Sequence, residues 1–409
     1  VQNIITATLI PAKSMRYVLL LPTRKPSQNT MKLFNQLTTL GIFCLLLTHT
    51  ASAQLSDIID QRCATMEMDA RLRQNFPDRG SLNDFENHIA PHVEQFKRQQ
   101  NEGYRAPLLT IPVVFHIITD GAGAENISAA QVQAQVDQLN IDFRDLAGST
   151  NATRADLEIE FCLATLDPSD NIMAEQGINR VTTYGDGPFT TNQIDGTIKP
   201  GTIWSPDDYM NIWVCDISGG ILGYAQFPDA SGLGGLNNNG GAANTDGVVH
   251  LYSTIGSVAN PFPGGAPYNL GRTMTHEVGH WMGLRHIWGD GNCGVDDFCN
   301  DTPNSDNSNF GCPNGHVSCN SVDQIENYMD YTNDACMNLF TADQKARVRT
   351  VMSISPRRAA LANSSKCGVA VPTIAFVSGG GTIINEQTNC SFQDIVLDLS
   401  ISTASSAIG

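Results

Sequence analysis

One eleven-residue stretch constrains this chain more than any other. From His276 to His286 it reads His-Glu-x-x-His-x-x-Gly-x-x-His. On a helix, residues four apart share a face, so His276 and His280 can reach the same metal ion. Glu277 lies about 100° further round the helix axis and can address a water molecule instead of the ion. His286 reaches that ion only if the helix ends first, and Gly283 permits the turn because glycine adopts left-handed dihedral angles at little cost.

The spacing predicts a catalytic metal. Three neutral imidazoles leave one coordination position of Zn²⁺ open for water, which is typical of catalytic zinc and not of structural zinc. Ordinary helix histidines would leave the whole spacing unexplained. A site with two histidines and a glutamate from a separate helix would leave Gly283 and His286 without a role.

A second segment, Asn-Tyr-Met-Asp-Tyr-Thr at 327–332, strengthens the interpretation. Together with the histidine motif it resembles the metzincin metalloproteases, and more narrowly the pappalysin family, over roughly residues 105–365. The resemblance implies that Met329 lies beneath the zinc as a soft floor. It also implies that Tyr331 turns its hydroxyl toward the oxyanion of the reacting carbonyl.

Apolar periodicity predicts an α+β fold. Strand-like and helix-like stretches alternate before the motif; they cover 108–118 (strand), 128–146 (helix), 159–166, 210–217 and 247–255 (strands). The resemblance implies a metzincin-type protease domain, with a mixed twisted sheet and helices above the cleft and an irregular, disulfide-rich lower subdomain. It also implies that the last strand, 247–255, borders the cleft, where an extended substrate would pair with its edge.

The N-terminal region has the composition of a secretory leader. Residues 31–53 comprise a short basic start, an apolar run and an Ala-Ser-Ala box. The apolar run is too short to span a bilayer, which favours a cleaved signal peptide over the alternative of an anchor helix. Residues 1–30 then correspond to an upstream or misassigned start.

The remaining boundaries follow from composition. Residues 54–104 are charged and helical in character, as expected of a pro-segment, and 105–366 form the catalytic domain. Residues 367–409 alternate Val, Ile and Thr around a glycine turn, which predicts the start of an incomplete β-sandwich.

Charge narrows the possible partners. The formal net charge is −17, and beyond residue 53 the chain carries 19 basic residues against 41 acidic ones. Such a surface repels nucleic acid and anionic membranes. We therefore expect a secreted, extracellular monomer that acts on proteins or peptides.

Cys63 stands out in the pro-segment. A thiolate is a good zinc ligand, so Cys63 could occupy the fourth position and keep the enzyme latent. The resemblance supports such a cysteine switch, although Ala64 replaces the usual glycine of Arg-Cys-Gly-Thr. The alternative is that Cys63 pairs with another cysteine in a disulfide.

Ten cysteines remain beyond the leader, and five of them crowd into residues 293–336. In a secreted protein this clustering predicts disulfides, whereas a second, structural zinc would require a Cys-x-x-Cys pair that is absent from these spacings. The resemblance implies the pair Cys312–Cys336 and a bond from Cys319 to Cys293 or Cys299. Cys162 and Cys215 each lie in a strand-like run and could bridge neighbouring strands, but connectivity cannot be derived from sequence.

The turn-rich segment after His286 is a candidate calcium site. The resemblance implies side-chain ligands Asp297 and Thr302 and the carbonyl of Asn300, with Ca²⁺ as a structural cofactor. Because the segment does not match an EF-hand loop, a solvated acidic turn is the alternative.

The predicted activity is endoproteolysis of extended protein segments by a zinc-activated water, with Glu277 as general base. The resemblance implies a basic residue after the scissile bond, selected by an acidic side chain before the Met-turn cysteine. Here Ala335 holds that position and Asp334 lies one residue earlier. The Tyr104–Arg105 bond is the candidate maturation site. The alternative function is an inert secreted binding or adhesion protein with a protease-like fold.

Overall fold

The computed structural model describes residues 62–228 and 242–368, together with residues 377, 378, 382 and 383. The expected leader at 31–53, residues 1–30, the first part of the pro-segment and nearly all of the expected β-sandwich lie outside these residues. Within the described part, no helix combines the length and apolar character needed to cross a membrane.

A six-stranded sheet forms the centre of the fold. Its strands are β1 (Leu109–Ile118), β2 (Ile159–Leu163), β3 (Ile178–Val181), β4 (Met210–Cys215), β5 (Gly223–Ala225) and β6 (Val248–Leu251). Eight consecutive residues of β1 are buried, as expected of an interior strand covered on both faces. The order is β2-β1-β4-β6-β5, with β3 pairing the second half of β1; all pairs are parallel except β5 with β6.

The strand at the cleft-side edge of the sheet is not the strand that we expected there. β6, which corresponds to the predicted strand 247–255, is an interior strand between β4 and β5. The edge is β5, only three residues long, between the predicted strands 210–217 and 247–255. A three-residue strand is too short to show an alternation of apolar and polar residues, so the pattern could not reveal it.

Helices cover both sides of the sheet. They are α1 (Thr65–Asn75), α2 (Leu82–Asn101), α3 (Ala129–Phe143), α4 (Arg272–Trp281), α5 (Ala342–Ile354) and α6 (Pro356–Leu361), with helical turns at Thr191–Gln193, Ile194–Ile198 and Lys199–Thr202. Every residue of α4 is buried, since α4 packs against α3, β5 and β6. α5 begins after Thr341, whose side chain caps it by accepting a hydrogen bond from the backbone N–H of Gln344.

Below the cleft, the chain from Leu284 to Phe340 is largely irregular. It contains the short hairpin β7 (Val317–Ser318) and β8 (Ser321–Val322). Disulfides Cys293–Cys319 and Cys312–Cys336 tie it together; the first settles which of the two alternatives bonds Cys319. The α+β fold class, with an irregular and disulfide-rich lower part, is thereby confirmed.

The expected Cys162–Cys215 bridge is wrong. Cys162 bonds to Cys367, while Cys215 is a buried free thiol. Cys162 lies on β2 and Cys215 on β4, and β1 runs between them. Two strand spacings separate the cysteines by about 9.6 Å, which exceeds the reach of a disulfide.

A final short pair, β9 (Val377–Ser378) and β10 (Thr382–Ile383), is antiparallel. This pair agrees with the prediction of strands within residues 367–409, and the β-sandwich itself stays a prediction.

Candidate metal centre

Helix α4 and the turn after it carry the three histidines. The helix ends at Trp281, and Gly283 follows with φ +91°. The backbone N–H of Leu284 then donates to the carbonyl of Gly279 over 2.9 Å, which closes the helix end. A Cβ on Gly283 would also lie 2.9 Å from Val351 Cγ2. Only glycine fits this turn, which brings His286 back toward the helix.

The Nε2 atoms of the three imidazoles converge. His280 Nε2 lies 3.1 Å from His276 Nε2 and 3.0 Å from His286 Nε2. Each opposite nitrogen, Nδ1, faces an oxygen. His276 Nδ1 lies 2.7 Å from the carbonyl of Tyr328, His280 Nδ1 lies 2.8 Å from the carbonyl of Leu284, and His286 Nδ1 contacts Asp290 Oδ1.

These partners fix the tautomers. A carbonyl or carboxylate oxygen only accepts, so each Nδ1 carries the proton and each Nε2 presents a lone pair to the common centre. Cys63 Sγ joins them, and the four ligand atoms lie within 4.8 Å of one another. Converging lone pairs repel unless a cation lies between them. The donor set, three imidazole nitrogens and one sulfur, therefore fits a metal ion such as zinc.

Burial keeps the histidines in the form that binds metal. Burial, with a smaller contribution from the neighbouring imidazoles, lowers the pKa of His280 to about 3 and the pKa of His276 well below its usual range. Both rings are therefore neutral near pH 7, as a metal ligand must be.

Glu277 points at the pro-segment. Its Oε2 accepts a hydrogen bond from Thr65 Oγ1 over 2.8 Å and lies 3.4 Å from Cys63 Sγ. Burial raises the pKa of the Glu277 carboxyl to about 8, and the Thr65 and Cys63 hydrogen bonds lower it only in part. The second oxygen, Oε1, is buried without a hydrogen-bond partner among the described residues.

Met329 and Tyr331 lie against the histidine cluster. A Cβ on Gly279 would come within 2.5 Å of Met329 Sδ, so the glycine of α4 leaves room for the methionine. The Tyr331 ring centre lies 5.0 Å from that of His286, and its hydroxyl donates to the carbonyl of Cys63 over 3.4 Å. Both residues therefore lie beside the three histidines, and their roles stay predictions.

The pro-segment occupies the cleft along β5. Cys63 forms a parallel bridge with Gly223, and the N–H of Leu222 donates to the carbonyl of Arg62 over 2.9 Å. The Arg62 guanidinium stacks 3.6 Å above the Tyr268 ring, and its Nη2 donates to the carbonyl of Thr332 over 3.3 Å.

Asp334 lines the same pocket as Arg62, whereas Ala335 is exposed. Backbone N–H groups of Leu270 and Arg272 donate to Asp334 Oδ2 over 2.8 and 3.3 Å. Burial nevertheless raises the pKa of its carboxyl to about 6.

Sequence reasoning missed the residues that support the ligands. Asp142 of α3 is fully buried and accepts hydrogen bonds from Thr275 Oγ1 over 2.7 Å and from the Tyr328 hydroxyl over 3.0 Å. It thus joins α4 to the turn whose carbonyl holds His276. Asp142 shares one side of α3 with Gln135 and Gln138, beside the apolar face, so the sequence carried no strong signal for it. Asp290, four residues after His286, lies in a turn-rich segment with many carboxylates, so nothing in the sequence marked it as the partner of His286.

The expected calcium ligands are engaged in hydrogen bonds. The Thr302 hydroxyl donates to Asp297 Oδ1 over 2.7 Å, and the Asn300 backbone N–H donates to Asp343. In the described ranges, the Cys63 and histidine group is the one set of three or more His, Cys, Asp or Glu side chains whose ligand atoms could share an ion. Calcium stays a prediction.

Comparison with known proteins places this geometry in a family. The Peptidase_M43 family model, described as pregnancy-associated plasma protein-A, matches residues 192–353. Extracellular metalloprotease 1 of Coccidioides posadasii is 42% identical over 144 residues, which span 35% of this chain and about half (49%) of that protein. An extracellular metalloprotease of Podospora anserina is 33% identical over 55% of this chain and 76% of its own length.

Solved structures agree with the sequence matches. A mutant of Tannerella forsythia promirolysin is 35% identical with a TM-score of 0.60, and the match covers 74% of this chain and 97% of that one. Mature mirolysin of the same organism, in complex with a cleaved peptide, is 37% identical with a TM-score of 0.55 over 63% of this chain and 97% of that one. With these matches and the converging histidines, the chain belongs to the pappalysin family of metzincins and is a metalloendopeptidase.

Proposed function

We propose that the chain is a secreted zinc endopeptidase held latent by its own pro-segment. The observation that carries the proposal is the convergence of Cys63 Sγ with three imidazole Nε2 atoms in the cleft. His276, His280 and His286 would hold zinc throughout, and Cys63 would take the fourth position until the pro-segment leaves. Bound zinc supplies a Lewis acid that lowers the pKa of a coordinated water to about 7.

Glu277 performs the proton transfers in the mature enzyme. Oε2, which now accepts from Thr65, accepts the proton of the attacking water and returns it to the leaving amine. Departure of Cys63 frees the Tyr331 hydroxyl, which then donates to the oxyanion of the reacting carbonyl. Met329 keeps the floor beneath the histidines closed.

Extended peptides are the proposed substrates. The edge strand β5 already pairs with the backbone of residues 62–64, which supports main-chain pairing with a substrate in the same groove. Arg62 and Asp334 line the same pocket, which supports a basic substrate residue next to the scissile bond. Asp334 would be the acidic side chain that selects it, since Ala335 carries no charge. The cleaved peptide in mature mirolysin is consistent with this substrate class.

Maturation and structural calcium complete the proposal. Tyr104 and Arg105 are exposed between α2 and β1 without regular structure, which suits cleavage there.

The unpartnered, buried Oδ2 of Asp297 is the observation that favours a calcium ion in the lower part. The acidic composition and the extracellular relatives support secretion, and we expect a monomer that binds neither nucleic acid nor membranes.

Substitution of the proposed base tests the function. We expect Glu277→Ala to retain metal, because the side chain is not a ligand, and to lose peptide cleavage by about 10⁴-fold, the upper range for general base catalysis. Metal content by atomic absorption and cleavage of a quenched peptide measure the two properties. Full activity in the variant would exclude the assigned role, and bound metal with no cleavage by the matured wild type would favour the inert binding protein.

A further inference from the structure

His250 of β6 has no role in the proposed mechanism, yet it lies at the centre of the molecule. Its exposed fraction is zero, and neither ring nitrogen has a hydrogen-bond partner among the described residues. A neutral imidazole carries one N–H donor and one acceptor. Leaving both unsatisfied in the interior is costly and calls for an explanation.

The imidazole faces the metal-site helix. Alternation along β6 puts His250 on the same face as Val248, which belongs to the core that includes Val278 of α4. Across the sheet, His250 pairs with Gly223 of β5. A Cβ on Gly223 would lie 3.3 Å from His250 Nδ1 and 3.0 Å from Glu277 Cγ, so both side chains border the space that this glycine leaves open.

Glu277 has the complementary deficiency. Its Oε2 accepts from Thr65, whereas Oε1 is buried and unpartnered. The side chains that carry this unpartnered donor and this unpartnered acceptor therefore border the same small space. Burial lowers the pKa of His250 to about 3, so the ring is neutral and keeps one N–H to donate.

The latent arrangement explains why the pair is not yet bonded. The Thr65 hydroxyl donates to Glu277 Oε2 and accepts from the N–H of Ala225 over 2.8 Å, which fixes the carboxyl to the edge strand. When the pro-segment leaves, this donor leaves with it. An unrestrained carboxylate would populate several rotamers, only some of which aim an oxygen at the attacking water.

We propose that His250 is a positioning residue for Glu277: in the mature enzyme its imidazole N–H donates to one carboxylate oxygen and keeps the other aimed at the attacking water. The inference rests on the proposed function, since it assumes that Glu277 is the base. His250 acts through Glu277 and does not contact the substrate.

Two substitutions separate positioning from packing. His250→Leu keeps a similar volume and removes the donor, whereas His250→Gln retains an N–H. In the zymogen, His250→Leu removes an unsatisfied polar group, so we expect a melting temperature equal to or above that of the wild type. After maturation, we expect kcat to fall about tenfold, the usual effect of losing one hydrogen bond to a charged group. KM and metal content should stay unchanged, and His250→Gln should recover most of kcat.

A second buried histidine provides the control. His116 is equally buried but fully partnered, with Nε2 2.8 Å from Asn211 Oδ1 and Nδ1 2.9 Å from Asn179 Nδ2. His116→Leu should lower the melting temperature and leave the kcat of the folded fraction intact.

Three results would overturn the inference: a matured His250→Leu enzyme with kcat within twofold of the wild type, a parallel loss of stability and kcat, or a glutamine variant no better than leucine. Failure of the proposed function itself would look different, because Glu277→Ala would then retain activity.

Discussion

At the scale of single residues, the metal site is specified by what lies behind the ligands as much as by the ligands. Each histidine is oriented by an oxygen at Nδ1, and two of these oxygens are backbone carbonyls, of Tyr328 and Leu284. Backbone atoms leave no trace in the sequence pattern. The motif therefore identified the candidate ligands, whereas the groups that orient them could be found only in the fold. Gly283 is an exception, because the motif itself contains the glycine of the turn.

Cys63 gives the first prediction at this scale. Removing its thiol should weaken latency, because the fourth ligand is lost while residues 62–65 keep their backbone contacts with β5. We expect Cys63→Ala zymogen to convert to the mature form about tenfold faster than the wild type, with conversion measured by gel electrophoresis. Cys215, also buried with a free thiol, is the matched control, and Cys215→Ala should convert at the wild-type rate. Equal rates for Cys63→Ala and the wild type would contradict the switch.

At the scale of elements, the pro-segment docks at two places. Residues 62–65 and α1 contact β5 at the cleft, whereas α2 packs on α5. Phe85 of α2 lies edge-to-face with Phe227, with ring centres 5.2 Å apart. Glu86 forms a bidentate pair with Arg347 over 2.5 and 2.6 Å. Arg347 of α5 also donates from Nε to the carbonyl of Gly283. The Glu86–Arg347 pair thus links α2 to the turn that carries His286.

The buried Glu86–Arg347 pair predicts that a conservative substitution of Glu86 lowers the stability of the zymogen strongly. Glu86→Gln keeps the shape but leaves the Arg347 charge without its carboxylate, and breaking a buried pair in this way costs about 3–5 kcal/mol. We expect the free energy of unfolding of the zymogen, measured in urea, to fall by that amount. Glu94 of the same helix is exposed, so Glu94→Gln should change stability by less than about 0.5 kcal/mol. Similar values for the two variants would contradict the docking described here.

Elements also show where local pattern suffices and where it fails. β1 and α3 were predictable, because β1 is a long apolar run and α3 has apolar residues at helical spacing behind a capping serine. β5 was not, because three residues carry no period. The Cys162–Cys367 bond spans 205 residues, and only the order of the strands decides such a partner.

At the scale of the whole molecule, a buried ionic network around Asp246 connects the sheet to helices α4 and α6. Asp246, just before β6, accepts hydrogen bonds from Trp281 Nε1 over 3.0 Å and from Arg358 Nη1 over 2.8 Å, and it also contacts Arg357. Arg358 stacks 3.7 Å above the Trp281 ring. The end of the metal-site helix, the sheet and α6 therefore share one network.

This network predicts how stability depends on pH. Burial acts to raise the pKa of Asp246, but the Arg358 and Arg357 guanidiniums outweigh it and hold the pKa well below its usual range. A carboxyl with a depressed folded-state pKa stabilises the fold fully above its unfolded pKa, about 3.9, and loses that contribution as pH falls toward the folded value. The stability difference between the wild type and Asp246→Asn should thus be constant from about pH 5 to 7 and shrink below about pH 4.

Urea unfolding at several pH values measures this difference, in a Glu277→Ala background that prevents self-digestion. Asp207, which is exposed, supplies the control, and Asp207→Asn should match its parent within about 0.5 kcal/mol at every pH. A difference for Asp246→Asn that grows as the pH falls would have the wrong sign for this network.

The most direct test of the central claim is digestion of a mixed peptide library by the matured protein, with sequencing of the products. A latent zinc endopeptidase should cleave the library only after its pro-segment is removed, lose cleavage when a chelator strips the metal, and regain it when zinc is returned. Arg62 beside Asp334 further predicts arginine or lysine next to the cut. Cleavage that persists without metal, or no cleavage by zinc-loaded mature protein, would contradict the account.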